Sequence, residues 1–93
     1  MEYYLRVSVE ILRRYLTNPY YNGKDGEALL VEDPVEHRGV RIRREDEEFI
    51  IQYLPALKLA RGLPSYRSLT CFEVARVKAK SLEEALEFLF IKL

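Results

Sequence analysis

The chain has 93 residues and a mass of 11.0 kDa, enough for one small domain and too little for two independent cores. Lys and Arg number 15 and Asp and Glu number 15, which excludes the global positive field that draws a protein onto nucleic acid or an anionic membrane. At 48% hydrophobic and 12% aromatic residues the chain can bury a core, so wholesale disorder is excluded as well.

Ten arginines and five lysines stand against twelve glutamates and three aspartates, and only Met1, Asn18, Asn22, Gln52 and Cys71 come from the thermolabile types. Such charge enrichment is expected of a protein from a thermophile or its virus. A single cysteine forbids an intramolecular disulfide. No positively charged start precedes an apolar run, and the run Phe88 to Ile91 is far too short to cross a bilayer. A soluble cytoplasmic protein with no membrane partner is the expectation.

In chain order, Tyr3, Leu5, Val7, Val9 and Ile11 alternate with Arg6, Ser8 and Glu10, a period of two that predicts a strand to about Glu10 and a short helical turn over Ile11 to Leu16. Leu5, Val9, Leu12 and Leu16 also fall at helical spacing, so residues 2–16 have a competing reading as one helix ending before Pro19. Residues 17–26 concentrate Pro, Asn, Asp and Gly and predict a loop carrying two partly exposed tyrosines. Glu27 to Asp33 predicts a short strand closed by Asp33-Pro34. Val40 and Ile42 alternate with Arg41 and Arg43, and after the acidic turn Glu45 to Glu48 the chain resumes at Phe49 to Leu54, which predicts a hairpin. Residues 55–68 predict a connection with one helical turn around Leu57 to Arg61.

Leu69 to Lys80 predicts the next strand, and its apolar positions change parity between Phe72 and Val74 on one side and Val77 and Ala79 on the other. A β-bulge near Ala75 accounts for the change. Ser81-Leu82-Glu83-Glu84 has the order of a capping box. It opens a helix over 81–92 with Leu82, Ala85, Leu86, Leu89 and Leu93 as the buried stripe. These elements predict one α+β domain over residues 1–93, a mostly antiparallel sheet of four or five strands with the C-terminal helix packed on one face.

The inventory for catalysis is thin. His37 is the only histidine, and a general base needs an orienting carboxylate and a nucleophile brought beside it. Its expected place is the surface. Cys71 sits between apolar neighbours and is expected to be a buried, inert thiol. One His and one Cys cannot complete a structural zinc site, and the acidic run Glu45 to Glu48 does not converge on one centre. Asn22 to Gly26 lacks the upstream glycine and the Ser or Thr after Lys24 that a phosphate loop requires. No enzyme activity, metal or cofactor is expected.

Charge is nevertheless segregated. Four arginines lie in residues 38–44, and six bases against Glu73 lie in residues 58–80. Arg41 and Arg43 share a strand face, as do Arg76, Lys78 and Lys80, so adjacent strands would build a basic patch for nucleic acid with Tyr53 or Tyr66 beside it for stacking. The alternative is a sheet face whose arginines pair with Glu10, Glu32 and Glu73, which the balanced net charge favours.

Phe88, Leu89, Phe90 and Ile91 are consecutive, so on a helix they cover most of its circumference. One small sheet cannot bury them all. Phe88, Phe90 and Ile91 are therefore the expected interface, with a homodimer as the minimum assembly and a further protein partner as the alternative occupant. The covering segment within one chain would be the N-terminal residues or the 55–68 connection.

Val40 to Leu57, an acidic turn between two strands that ends in a Pro55-Ala56-Leu57 step, resembles the opening hairpin of HicB-type antitoxins. Ser81 to Glu87 is similar to the helix that follows in that family. The two segments cover under a third of the chain; Lys58 stands where the family carries glycine. The resemblance implies a dimeric protein that binds and masks an RNA-cleaving toxin.

Overall fold

The computed structural model describes residues 2–16, 22–25, 28–59, 66–68 and 71–92. They form α1 (Glu2–Tyr15), β1 (Asn22–Asp25), β2 (Ala28–Asp33), β3 (Arg38–Glu45), β4 (Glu48–Leu54), β5 (Leu57–Leu59), β6 (Tyr66–Ser68), β7 (Phe72–Lys78) and α2 (Leu82–Lys92). The class is α+β with an antiparallel sheet and two helices.

The N-terminal segment is a helix, which corrects the strand reading of Tyr3 to Glu10. Residues two apart on a helix lie about 200° apart around the axis. A helix buried over more than half its circumference therefore has apolar residues in alternation at the two borders of its buried arc. α1 buries Val7, Ser8, Val9, Ile11 and Leu12, an arc of that width, so Val7 and Val9 mimic a strand period. Glu2 in the first turn and Arg13 and Arg14 in the last complement the helix dipole. Ser8, which a strand would turn outward, is fully buried and its hydroxyl donates to the Tyr4 carbonyl at 2.7 Å.

The sheet runs in the order β1-β2-β3-β4-β7, antiparallel throughout. β2, β3, β4 and β7 carry its body. β1 falls inside the segment predicted as loop and pairs Asn22 with Val31 and Asp25 with Ala28; the two tyrosines expected there lie outside the described residues. The expected hairpin is β3–β4, with Asp46-Glu47 as its turn and Glu45 opposite Glu48. Asp46 takes φ 57°, the left-handed region that aspartate tolerates better than most residues. In place of the predicted helical turn, Leu57–Leu59 is extended and pairs with Tyr66–Ser68.

On β7 the register slips by one residue between Ile51 and Gln52, which oppose Ala75 and Glu73 and leave Val74 as the extra residue. This is the bulge that the parity change requires. Leu29, Val31, Val40, Ile42, Phe49, Ile51, Tyr53 and Val77 point to one sheet face, where they form a common core with Val7, Ile11 and Leu12 of α1 and Leu82, Ala85 and Leu89 of α2. At about 1.5–3 kcal/mol for each large side chain removed from water, these contacts tie both helices into the core. Ser81 caps α2 through its hydroxyl, which accepts from the Glu84 N–H at 3.2 Å. The reciprocal bond of the expected capping box goes one residue further back: the Glu84 carboxylate accepts from the Lys80 N–H at 3.4 Å.

Candidate interaction surface

Of the five positions expected to contact nucleic acid, four share one face. Arg41 and Arg43 on β3, and Arg76 and Lys78 on β7, all point away from the core, since their register partners alternate with the inward set. The two basic strands are not adjacent, however. β4 lies between them and sets Ile50 between Arg43 and Arg76, and Gln52 between Arg41 and Glu73.

Acids fill the remaining positions. Arg76 grips both Glu73 carboxylate oxygens, at 3.0 Å from Nε and 2.8 Å from Nη2, and reaches Glu48 at 3.8 Å. Arg43 pairs with Glu45 at 3.5 Å and Lys78 with Glu47 at 4.0 Å, while Arg41 donates to the Gln52 amide oxygen at 2.9 Å. The hydrogen bonds from Arg76 hold the Glu73 carboxyl below its ordinary value. Of the acids expected as partners, Glu73 takes the role and Glu32 does not; Glu45, Glu47 and Glu48 do instead. Lys80 has left the strand: its carbonyl accepts from Arg44 at 3.0 Å. Tyr53, expected to stack beside the arginines, points to the opposite face. The Tyr66 side chain lies outside the described residues.

Tyr53 belongs to an aromatic stack that the strand reading of the N-terminus concealed. Tyr4 of α1 lies flat on Tyr53 at 5.2 Å and on Phe72 at 5.7 Å between ring centroids, with Tyr3 edge-on to Tyr4 at 5.5 Å. These rings close the end of the core where β4 finishes and β7 begins.

Asp33 organises the same end of the sheet. Its carboxylate accepts from the Val35 and Glu36 N–H groups at 3.0 and 3.4 Å and from Arg38 at 3.2 Å. Burial would raise this carboxyl, but those bonds, together with one from the Tyr15 hydroxyl, hold it below its ordinary value of 3.8. Neighbouring Glu32 points to the other face, opposite Gly39. It is 2% exposed and its Oε2 is buried with no hydrogen-bond partner. Burial raises its carboxyl above the ordinary 4.5, against a smaller opposing pull from His37.

His37 is exposed in the β2–β3 turn at φ 53°. Cys71 is exposed just ahead of β7, where its sulfur accepts from Gln52 at 3.7 Å; the buried mid-strand thiol expected from its apolar neighbours is corrected by the later start of the strand, at Phe72. Among the described residues no three His, Cys, Asp or Glu side chains gather as metal ligands. A depression of about 400 Å³ beside the start of α2 is lined by Arg44, Glu47, Lys78, Lys80 and Glu84, charges of both signs.

On α2 the four consecutive apolar residues separate. Leu89 is in the core, and Phe90 packs partly against it, with the Arg13 guanidinium 5.4 Å above its ring and Arg13 also donating to its carbonyl at 3.0 Å. α1 thus takes up Phe90, one of the three residues expected at an interface. Phe88 and Ile91 keep 47% and 74% of their surface exposed.

No described helix is long and apolar enough to cross a membrane. Comparison with protein-family models, with curated proteins and with solved structures gives no match for this chain.

Proposed function

We propose that the protein is a non-enzymatic interaction module that works by assembling with other protein chains, a second copy of itself first. The observation that carries this reading is α2, a helix fastened to the core through Leu82, Ala85 and Leu89 on which Phe88 keeps 47% and Ile91 74% of its surface exposed. Large apolar side chains gathered on the surface of a small protein mark contact surfaces. The ion pairs over Arg43, Arg76 and Lys78 favour a structural role for these bases over phosphate binding. A dimeric partner-binding module is also what the antitoxin resemblance of residues 40–57 and 81–87 implies, and a protein from a hot environment would unfold above about 60 °C.

Light scattering on the full chain between about 1 and 100 µM, the range in which modest interfaces associate, tests the reading. A mass of two chains is expected. A mass of one chain across the whole range overturns it.

A further inference from the structure

The sheet ends on β7, which among the described residues is paired on one side only, to β4. An open edge invites another strand, and proteins blunt such edges with lysines and bulges. β7 carries both, Lys78 and the extra residue Val74. A bulged strand is a poor template for a regular one. It matches a strand with the same irregularity in the same place.

The sequence of β7 supplies that match in itself. Because Val74 and Ala75 both pack toward the core, the bulge sets Glu73 and Arg76 on one face and Phe72, Val74, Ala75 and Val77 on the other. Read in opposite directions from a point between Val74 and Ala75, the strand pairs Val74 with Ala75, Glu73 with Arg76 and Phe72 with Val77. Every pair falls on a common face, and the polar pair is of opposite charge. Phe72, 37% exposed, gains an apolar partner.

We propose that two copies of this chain associate antiparallel through β7 about a two-fold axis between Val74 and Ala75, so that each Glu73 faces the partner's Arg76 and the two sheets become one. The inference keeps the homodimer of the proposed function but seats the second copy on β7 instead of on α2. A two-fold contact uses each pairing twice and closes the edge, so assembly stops at two copies. The apolar surface of α2 then stays available on both.

The test uses charge reversal and mixing in light scattering, with circular dichroism to confirm that each variant is folded. E73R places four positive side chains around the axis and R76E four negative ones, because like charges opposed across strands repel. Each alone should dimerise at least about tenfold more weakly than the native chain, a free-energy change of about 1.4 kcal/mol. Mixed in equal amounts, E73R and R76E should recover a two-chain mass, since every positive side chain then meets a negative one on the other copy. Mixing cannot restore a pair within one chain, so recovery separates the interface from the intrachain Glu73–Arg76 contact. A native dimer that E73R leaves intact, or a mixture that remains monomeric, overturns the inference while the homodimer stands. A native dimer dissolved by F88E with I91E, but not by E73R, moves the axis to α2. A native chain that is monomeric throughout removes the homodimer itself.

Discussion

Glu32 and Asp33 are sequence neighbours that titrate in opposite directions because a strand turns them to opposite faces. Asp33 gathers two backbone N–H groups, Arg38 and the Tyr15 hydroxyl, so its charged form is favoured in the fold. The stability it contributes is fully present above its ordinary value of 3.8 and is lost as pH falls through the lower folded value. Glu32 is buried without a partner for Oε2, so its neutral form is favoured. The fold binds this proton more tightly than the unfolded chain does, and stability falls as pH rises from 4.5 through the raised folded value. Glu32→Gln removes the ionisation at nearly constant shape. It should melt close to the native protein at pH 4 and be more stable at pH 8 by about 1 kcal/mol, the scale of an unsatisfied buried polar group. Calorimetry at the two pH values checks this, and an advantage that does not change with pH would contradict it.

At the scale of elements, the two helices are specified in different ways. α2 announces itself: Ser81 stands at the cap, Glu83 and Glu84 fill the first turn, and Leu82, Ala85 and Leu89 follow at helical spacing. Ser81→Ala should lower unfolding stability by about 1 kcal/mol, the usual value of a cap hydroxyl, read as a reduced midpoint in urea with an unchanged slope. An unchanged midpoint would mean that the Glu84 N–H finds its acceptor elsewhere. α1 has so wide a buried arc that residues two and four apart are buried together. Its sequence supports two periods, and only the sheet beneath it chooses between them. β7 lies between these cases, since the change of parity in its apolar residues reveals the bulge while leaving open which residue is extra. The register against β4 identifies Val74.

For the molecule as a whole, the balance of 15 bases and 15 acids is realised locally on the outer sheet face. β4 separates the two basic strands and contributes Glu48 between them, and the β3–β4 turn brings Glu45 and Glu47 beside Arg43 and Lys78. A face neutralised in this way should not bind phosphate chains. Titration with single- and double-stranded RNA and DNA at 50 and 200 mM salt should show no binding that weakens steeply with salt; a steep dependence, abolished when Arg41, Arg43 and Arg76 are replaced by Gln, would reverse the reading of this face.

The sequence by itself determined what local chemistry controls. The β3–β4 hairpin follows from alternation around an acidic turn, the start of α2 from its cap, the need for a bulge from a break in parity, and the α+β class from these together. The tertiary structure decided whatever depends on which surface a residue meets. It made residues 2–15 a helix by burying more than half of its circumference, with Val7, Ile11 and Leu12 set into the core that the sheet lines. It turned Tyr53 inward onto Tyr4 and away from Arg41, Arg43 and Arg76, and gave Phe90 to Arg13 while leaving Phe88 and Ile91 partly exposed. It also brought Glu48 of β4 to Arg76 of β7, beside the Glu73 of Arg76's own strand. Periodicity fixes which residues share a face. What lies opposite that face is set by strand order and register, and these arise from contacts between segments distant in sequence.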